Sequence, residues 1–148
     1  MIRKDDVVTD DSALQIVTDR YSRWAKMLMT GTFAEMQELL ADDFRMTSYI
    51  VMGPALDKQR FLEVGQQVEK AELTFRTIWA KAVGSIIVSR VTLDVREEFK
   101  ADLGPGMPSS AEVTRMLSGH RLAYASAWRR SASGAWQCLH HHMFGTVD

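Results

Sequence analysis

The stretch from Leu122 to Gly145 most constrains the fold of this chain, because its side chains alternate with the period of two that belongs to β-strands. A turn rich in serine and glycine divides it into two strands. One face of this hairpin is predicted to combine Tyr124, Ser126, Trp128, Trp136, Cys138, His140, His142 and Phe144. A buried imidazole needs a hydrogen-bond partner or a ligand. A face that is both aromatic and ionisable therefore favours the wall of a pocket over a plain core.

Length and charge limit what the chain can be. Its 148 residues fit a single domain, which we expect to span 1–148 and to fold without disulfides. With 18 basic and 19 acidic residues the net charge is -1, so we expect no binding to nucleic acid or to membranes. A single cysteine, Cys138, and an N-terminus without an apolar run favour the reducing cytoplasm.

The first half of the chain is predicted to be mainly helical, because apolar residues recur at three- and four-residue steps. Residues 1–11 precede this pattern and are expected to be flexible. The predicted elements are a helix from Ser12 to Gly31 with Asp11 or Ser12 as its N-cap, a short helix from Thr32, a strand from Phe44 to Val51, and a third helix capped by Asp57.

The second half is predicted to be mainly strand. Glu72–Val83 and Ser85–Phe99 flank Gly84, which predicts a hairpin of long strands. Residues 100–118 contain the sequence GPGMP and are expected to form a loop or lid. Helices followed by strands predict an α+β domain, in which a strongly curved antiparallel sheet forms a cone around the N-terminal helices and encloses an internal pocket.

Three segments resemble the nuclear transport factor 2-like superfamily, particularly its ketosteroid-isomerase-like and polyketide-cyclase-like bacterial members. They are Gly31–Phe44 (GTFAEMQELLADDF), Gly53–Leu62 (GPALDKQRFL) and Ala127–Gly145 (AWRRSASGAWQCLHHHMFG). The last segment is also similar to the association domain of calcium/calmodulin-dependent kinase, which shares the fold and is not an enzyme. For the enzymes, the resemblance implies isomerase, lyase or cyclase chemistry without a cofactor, in an apolar pocket that holds a few acids, tyrosines, histidines or arginines.

The orientation of the strand Ser85–Phe99 stays open at this point. Its two faces read Ile86, Val88, Arg90, Thr92, Asp94 and Arg96 on one side and Ile87, Ser89, Val91, Leu93 and Val95 on the other. The apolar face would ordinarily point inward, but the resemblance to the kinase association domain implies an inward Arg90. In that case Asp94 would point inward too, about 13 Å further along the strand.

The first helix and the terminal histidines supply further candidates. The resemblance to ketosteroid isomerases implies an inward tyrosine on the first helix, for which Tyr21 is the nearest match, although a core role for its ring is an alternative. That family also places an acid near the first strand, and Phe44–Val51 contains none. His140 and His142 share one side of their strand and His141 takes the other, so only two of them could bind one metal ion and no metal site is expected.

Two function classes remain open. One is a small cofactor-independent enzyme that acts on an apolar molecule. The other is a domain of the same fold that binds a ligand or assembles without catalysis. For the enzyme we expect catalytic roles for His140, Asp94, Arg90 and Tyr21, and substrate contacts from Trp24, Tyr124, Ser126, Trp128 and His142.

The outer face of the C-terminal hairpin bears on assembly. It carries a stripe of mostly small residues, namely Arg121, Ala123, Ala125 and Ala127. Small side chains allow two sheets to approach closely, and the resemblance implies that such sheets pair. We therefore expect a homodimer.

Overall fold

The computed structural model describes residues 8–49 and 54–147 as three α-helices packed with one six-stranded sheet. The N-terminal part of the segment expected to be flexible and the end of the predicted strand Phe44–Val51 lie outside the described residues. The elements are α1 (Asp10–Thr30), a 3-10 helix (Phe33–Glu38), β1 (Leu40–Ser48), β2 (Leu56–Asp57), α2 (Lys58–Gln66), β3 (Val68–Val83), β4 (Ile86–Phe99), α3 (Ser110–Leu117), β5 (Arg121–Arg130) and β6 (Trp136–Thr146).

Helix α1 begins two residues earlier than its apolar pattern predicts. Its N-cap is Thr9, whose side chain accepts a hydrogen bond from the amide of Ser12, so the expectation of Asp11 or Ser12 as the cap is wrong. The helix ends as predicted at Gly31, where φ is 74° and a residue with a side chain would be strained. No helix among the described residues has the length and the apolar run that crossing a membrane requires.

The strands follow the order β2-β1-β6-β5-β4-β3. Neighbouring strands are antiparallel except β1 and β6, which run parallel with Met46 opposite His141. The long hairpin β3–β4 turns at Gly84, where φ is 60°. Helix α1 packs on the sheet through Val17, Tyr21 and Trp24, which are all buried. The predicted α+β class, with a curved sheet around the first helix, is confirmed.

A bulge in β6 reverses the alternation that the sequence shows. Trp128 on β5 pairs with Cys138, but Ala127 pairs with His140, so Leu139 is an extra residue in β6. One extra residue moves the side chains that follow it to the opposite face, here as far as Met143, after which Phe144 is a second extra residue. Cys138 and His141 consequently both point inward and are buried, whereas His140 is exposed.

Strand β4 keeps strict alternation through its length. Ile87, Ser89, Val91, Leu93 and Val95 are buried on the inner face. Arg90 and Asp94 are exposed on the outer face. The alternative that placed Arg90 and Asp94 inside the cone is therefore wrong, and the apolar face is the inward one.

The open end of the cone is covered by α2 and by the segment 100–118. Leu103 and Val113 from this segment are buried, and Ser109 caps α3. Arg60 on α2 donates a hydrogen bond of 2.5 Å from Nη2 to the carbonyl oxygen of Leu103. Helix α2 itself is capped by Asp57 as predicted, through a 2.8 Å bond to the amide of Arg60.

Candidate functional site

The inside of the cone contains a cavity of about 110 Å³. Its wall is mostly aromatic and aliphatic, with Trp24, Phe33, Phe61, Phe75 and Leu93 among the lining residues. Three titratable side chains also line it, namely Glu97 from β4, Tyr124 from β5 and His141 from β6. Three strands thus bring an acid, a phenol and an imidazole into one apolar space.

Glu97 continues the inward face of β4 beyond Val95. Its backbone is held by Ser118, whose hydroxyl accepts from the amide of Glu97 at 3.0 Å and donates to its carbonyl oxygen at 3.3 Å. Burial raises the pKa of the Glu97 carboxyl from 4.5 to about 7. Glu97 is partly buried, and burial is the only cause of the shift, without a contribution from a hydrogen bond or a charged group among the described residues. It is therefore divided between its charged and neutral forms near neutral pH.

His141 is buried on the inner face of β6. Its Nδ1 lies 2.8 Å from the hydroxyl oxygen of Tyr21. The ring of Tyr124 stacks on the imidazole at 4.1 Å between centroids, and the ring of Trp24 lies at 4.9 Å. Burial, with smaller contributions from the neighbouring His140 and His142, lowers the pKa of His141 to about 3. The imidazole is therefore neutral at physiological pH.

The two tyrosines near this histidine are held in their neutral forms. Burial raises the pKa of Tyr21 and of Tyr124 well above the usual value of 10.0. The next largest contribution for Tyr124 comes from Glu97, which couples these two groups electrostatically. A phenol with a raised pKa serves as a hydrogen-bond donor and not as a base.

Comparison with solved structures gives close fold matches at low sequence identity. The nuclear transport factor 2-like protein from Cytophaga hutchinsonii is 11% identical, with a TM-score of 0.63 over 88% of this chain and 96% of that chain. A protein from Streptomyces avermitilis, described provisionally as a dehydratase of the same family, is 14% identical, with a TM-score of 0.65 over 95% and 100% of the two chains. A protein from Novosphingobium aromaticivorans, described provisionally as a scytalone dehydratase, is 11% identical, with a TM-score of 0.65 over 90% and 83%.

This chain has the nuclear transport factor 2-like fold. No family model matches the sequence, and no curated protein matches it. Identities this low show the fold alone, so the chemistry has to be argued from the side chains inside the cone.

Four of the residues predicted for the site lie outside the cone of this nuclear transport factor 2-like fold. Asp94 forms an ion pair with Arg121 on the surface, with Nε of Arg121 2.8 Å from Oδ1. The guanidinium of Arg90 lies 4.8 Å from the ring centroid of Phe144. The resemblance to the kinase association domain therefore misplaces Arg90, because the even-numbered face of β4 is solvent-facing.

The two even-numbered histidines also point outward, which corrects the predicted roles of His140 and His142. Both imidazoles hydrogen-bond the hydroxyl of Thr47 on β1, at 3.1 Å for Nε2 of His140. The cause is the bulge at Leu139, which gives the inward position to His141 instead. Partial burial, followed by the charge of His142, lowers the pKa of His140.

The remaining predicted residues lie inside the cone, but only two reach the cavity. Trp24 and Tyr124 line it. Tyr21, Ser126 and Trp128 are buried behind His141 and are not among the described lining residues. Cys138, on the same inner face, is a buried thiol whose pKa burial raises well above its usual value, so it is not a nucleophile.

The sequence analysis did not identify Glu97 and His141, the acid and the imidazole that line the cavity. The inward position of Glu97 could have been predicted, since it is the next residue after Val95 on the apolar face of β4. That of His141 could not, because the bulge at Leu139 leaves no mark in the pattern of apolar and polar residues.

Proposed function

We propose that this protein is a cofactor-independent acid/base enzyme of the isomerase or lyase class, which acts on a small apolar molecule inside the cone. The observation that carries the proposal is the Glu97 carboxyl, which lines an apolar cavity without a partner among the described residues and has a pKa raised to about 7. A group whose pKa lies near the operating pH both accepts and donates a proton efficiently.

The reaction would begin with proton transfer from carbon to the Glu97 carboxylate. The electron pair of the broken C–H bond moves into the conjugated system of the substrate. In an isomerase, Glu97 returns the proton to another carbon atom. In a lyase, the carboxylic acid protonates a departing hydroxyl, which leaves as water. Both outcomes balance without a cofactor, and two of the similar structures are described provisionally as dehydratases.

The size of the cavity limits the substrate. Its volume of about 110 Å³ is close to that of an engineered apolar cavity of ~150 Å³ that accepts benzene. Aromatic rings from α1, α2, β3 and the 3-10 helix form much of the wall. A compound with one ring fits this space better than a fused steroid.

Deuterium exchange tests the proposal without knowledge of the natural substrate. The protein would be incubated in D₂O with a panel of single-ring ketones, and the loss of C–H signals followed by NMR. We expect catalysed exchange for at least one member and a fall of about 100-fold or more in Glu97→Gln. Asp94→Asn is the control, because Asp94 lies on the outer face. Equal exchange rates for the wild type and Glu97→Gln would refute the assignment.

A second candidate function is homo-oligomeric assembly with ligand binding but no catalysis. The specific observation is a set of exposed apolar side chains on β3, where Ile78 and Val83 are each 55% exposed and Trp79 is 43% exposed. Trp79 pairs in register with Arg90, so it lies on the same outer face as the alanines of β5, with β4 between the two strands. This surface supports the proposal of a homodimer. A cytoplasmic location is likewise a proposal, supported by the single free cysteine.

A further inference from the structure

A chain of buried polar side chains lies behind His141. The indole Nε1 of Trp128 donates a 3.0 Å hydrogen bond to Oγ of Ser126. The hydroxyl of Ser126 is hydrogen-bonded to that of Ser89, and the Tyr21 hydroxyl lies 2.8 Å from Nδ1 of His141. The ring of Tyr21 in turn packs edge-on against that of Trp128, with the centroids 5.2 Å apart.

The direction of the hydrogen bonds follows from what each group can do. An indole N–H only donates, so Ser126 is an acceptor in its bond with Trp128. An imidazole nitrogen is a better acceptor than a phenol oxygen, so the Tyr21 hydroxyl donates its proton to Nδ1 of His141.

The other ring nitrogen of His141 faces a different environment. Nε2 has no hydrogen bond to the described residues. No fully buried side-chain nitrogen or oxygen among these residues lacks a partner, so Nε2 is not fully buried. His141 lines the cavity, so Nε2 opens onto that space. A neutral imidazole whose Nδ1 accepts a hydrogen bond carries its proton on Nε2.

We propose that Tyr21 is a positioning residue, which holds His141 in the tautomer that presents Nε2–H to the cavity, and that the ligand of this site carries an oxygen acceptor. This inference rests on the proposed function and deepens it. Removal of a C–H proton by Glu97 leaves an electron pair, which moves onto an oxygen conjugated with that carbon. A fixed donor at that oxygen stabilises the charge as it forms. The substrate class is therefore a single-ring ketone or a related conjugated carbonyl compound.

Nitrogen NMR tests the tautomer directly on the 148-residue chain. Long-range proton–nitrogen spectra separate a protonated from an unprotonated ring nitrogen, and a His141→Gln variant assigns the signals. At neutral pH we expect Nε2 to carry the proton and Nδ1 to carry none. A proton on Nδ1 would overturn the proposal.

A matched pair of variants tests the role of Tyr21 as the positioning residue. Tyr21→Phe and Tyr124→Phe each remove one hydroxyl from a ring that lies against His141, but only the first removes the partner of Nδ1. We expect Tyr21→Phe to give a mixture of both tautomers and Tyr124→Phe to retain the Nε2–H form. If Tyr21→Phe leaves the spectrum unchanged, Tyr21 does not set the tautomer.

Two probes of equal shape test the oxygen acceptor. Acetophenone and α-methylstyrene differ only in whether the double bond ends in oxygen or in carbon. We expect acetophenone to shift the Nε2–H resonance of His141 and α-methylstyrene to leave it nearly unmoved. Equal shifts, or no shift with acetophenone, would overturn this assignment. None of these measurements needs turnover. A failure of the proposed deuterium exchange at Glu97 is therefore distinguishable from a failure of the proposed tautomer of His141.

Discussion

The hydroxyl of Tyr21 and Nδ1 of His141 lie 2.8 Å apart, although 120 residues separate them in the chain. This bond joins the first helix to the last strand inside the cone, where both residues are almost fully buried. It therefore contributes to the fold as well as to the orientation of the imidazole.

Tyr21→Phe is expected to destabilise the protein by about 1–3 kcal/mol, because it leaves Nδ1 of His141 buried without a partner. The change is measured as the free energy of unfolding in urea. Tyr124→Phe is the control and is expected to cost less, since the structure gives its hydroxyl no hydrogen bond among the described residues. Equal losses in the two variants would contradict the assigned role of the Tyr21 hydroxyl.

Glu97 is expected to make the protein less stable as the pH rises. The carboxyl ionises near pH 4.5 in the unfolded chain but near pH 7 in the folded protein. The folded state therefore binds more protons between these values, and stability falls across this window by on the order of 3 kcal/mol. Glu97→Gln should match the wild type near pH 4 and have the higher melting temperature near pH 8.

The comparison with Glu97→Gln is needed because His141 acts in the opposite direction. Its pKa falls from 6.5 to about 3 on folding, so the unfolded chain binds more protons and stability rises with pH across that window. Both proteins retain this effect, which cancels in the difference between their melting curves. A difference that does not vary with pH would show that Glu97 is not the titrating group.

The double variant Arg90→Ala with Asp94→Asn is expected to leave both ligand binding and deuterium exchange unchanged. Both side chains lie on the outer face, and Asp94 pairs with Arg121 where each is about half exposed. Loss of such a surface ion pair costs about 0.2–1 kcal/mol, which thermal unfolding would measure. Loss of acetophenone binding in this variant would indicate that the outer face communicates with the cavity.

The proposed homodimer predicts that Trp79→Lys with Val83→Glu yields a monomer. Charges at these exposed positions of β3 would be desolvated in a packed sheet-to-sheet interface. Light scattering at micromolar concentration measures the mass. Met29→Lys, at an exposed position on α1, is the control and should not change the mass. A monomeric wild type would rule out the dimer.

Gly65→Ala is expected to destabilise the packing of α2 against the 3-10 helix. A Cβ at this buried glycine would lie 1.9 Å from the ring of Phe33, so the ring or the helix must move. Overpacking of this kind costs about 1–3 kcal/mol, measured by thermal unfolding. Phe33→Leu should recover part of the loss in the double variant, and failure to recover would place the strain elsewhere.

Much of the fold is readable from the sequence, because long periodic segments specify their own elements. The apolar steps of α1 predict which face of the helix is buried, and the structure agrees. The alternation of β4 separates an apolar face from a polar one, but the resemblance to the kinase association domain left open which of them points inward. The start of α1 is less predictable, since threonine, aspartate and serine at positions 9–12 all make good caps.

The candidate site is harder to predict from the sequence, because it depends on the extra residue Leu139 in β6. Up to Cys138 the alternation of β6 predicts the inward side chains correctly, and beyond Leu139 it predicts the reverse. Glu97 is a different case, since extending the apolar face of β4 by one step reaches it. The parallel pairing of β1 with β6 follows from neither segment alone, as register between distant strands is set by the whole sheet.

Because His140, His141 and His142 are consecutive, a shift of β6 by one residue still places a histidine in the cavity wall. In most strands a slip of one position exchanges an inward side chain for one of different chemistry. Here the neighbours on both sides of His141 are also histidines, so a slip in either direction still offers an imidazole to the cone. Gain or loss of a single codon near Leu139 would therefore change which histidine serves, while the type of side chain beside Tyr21 stays the same.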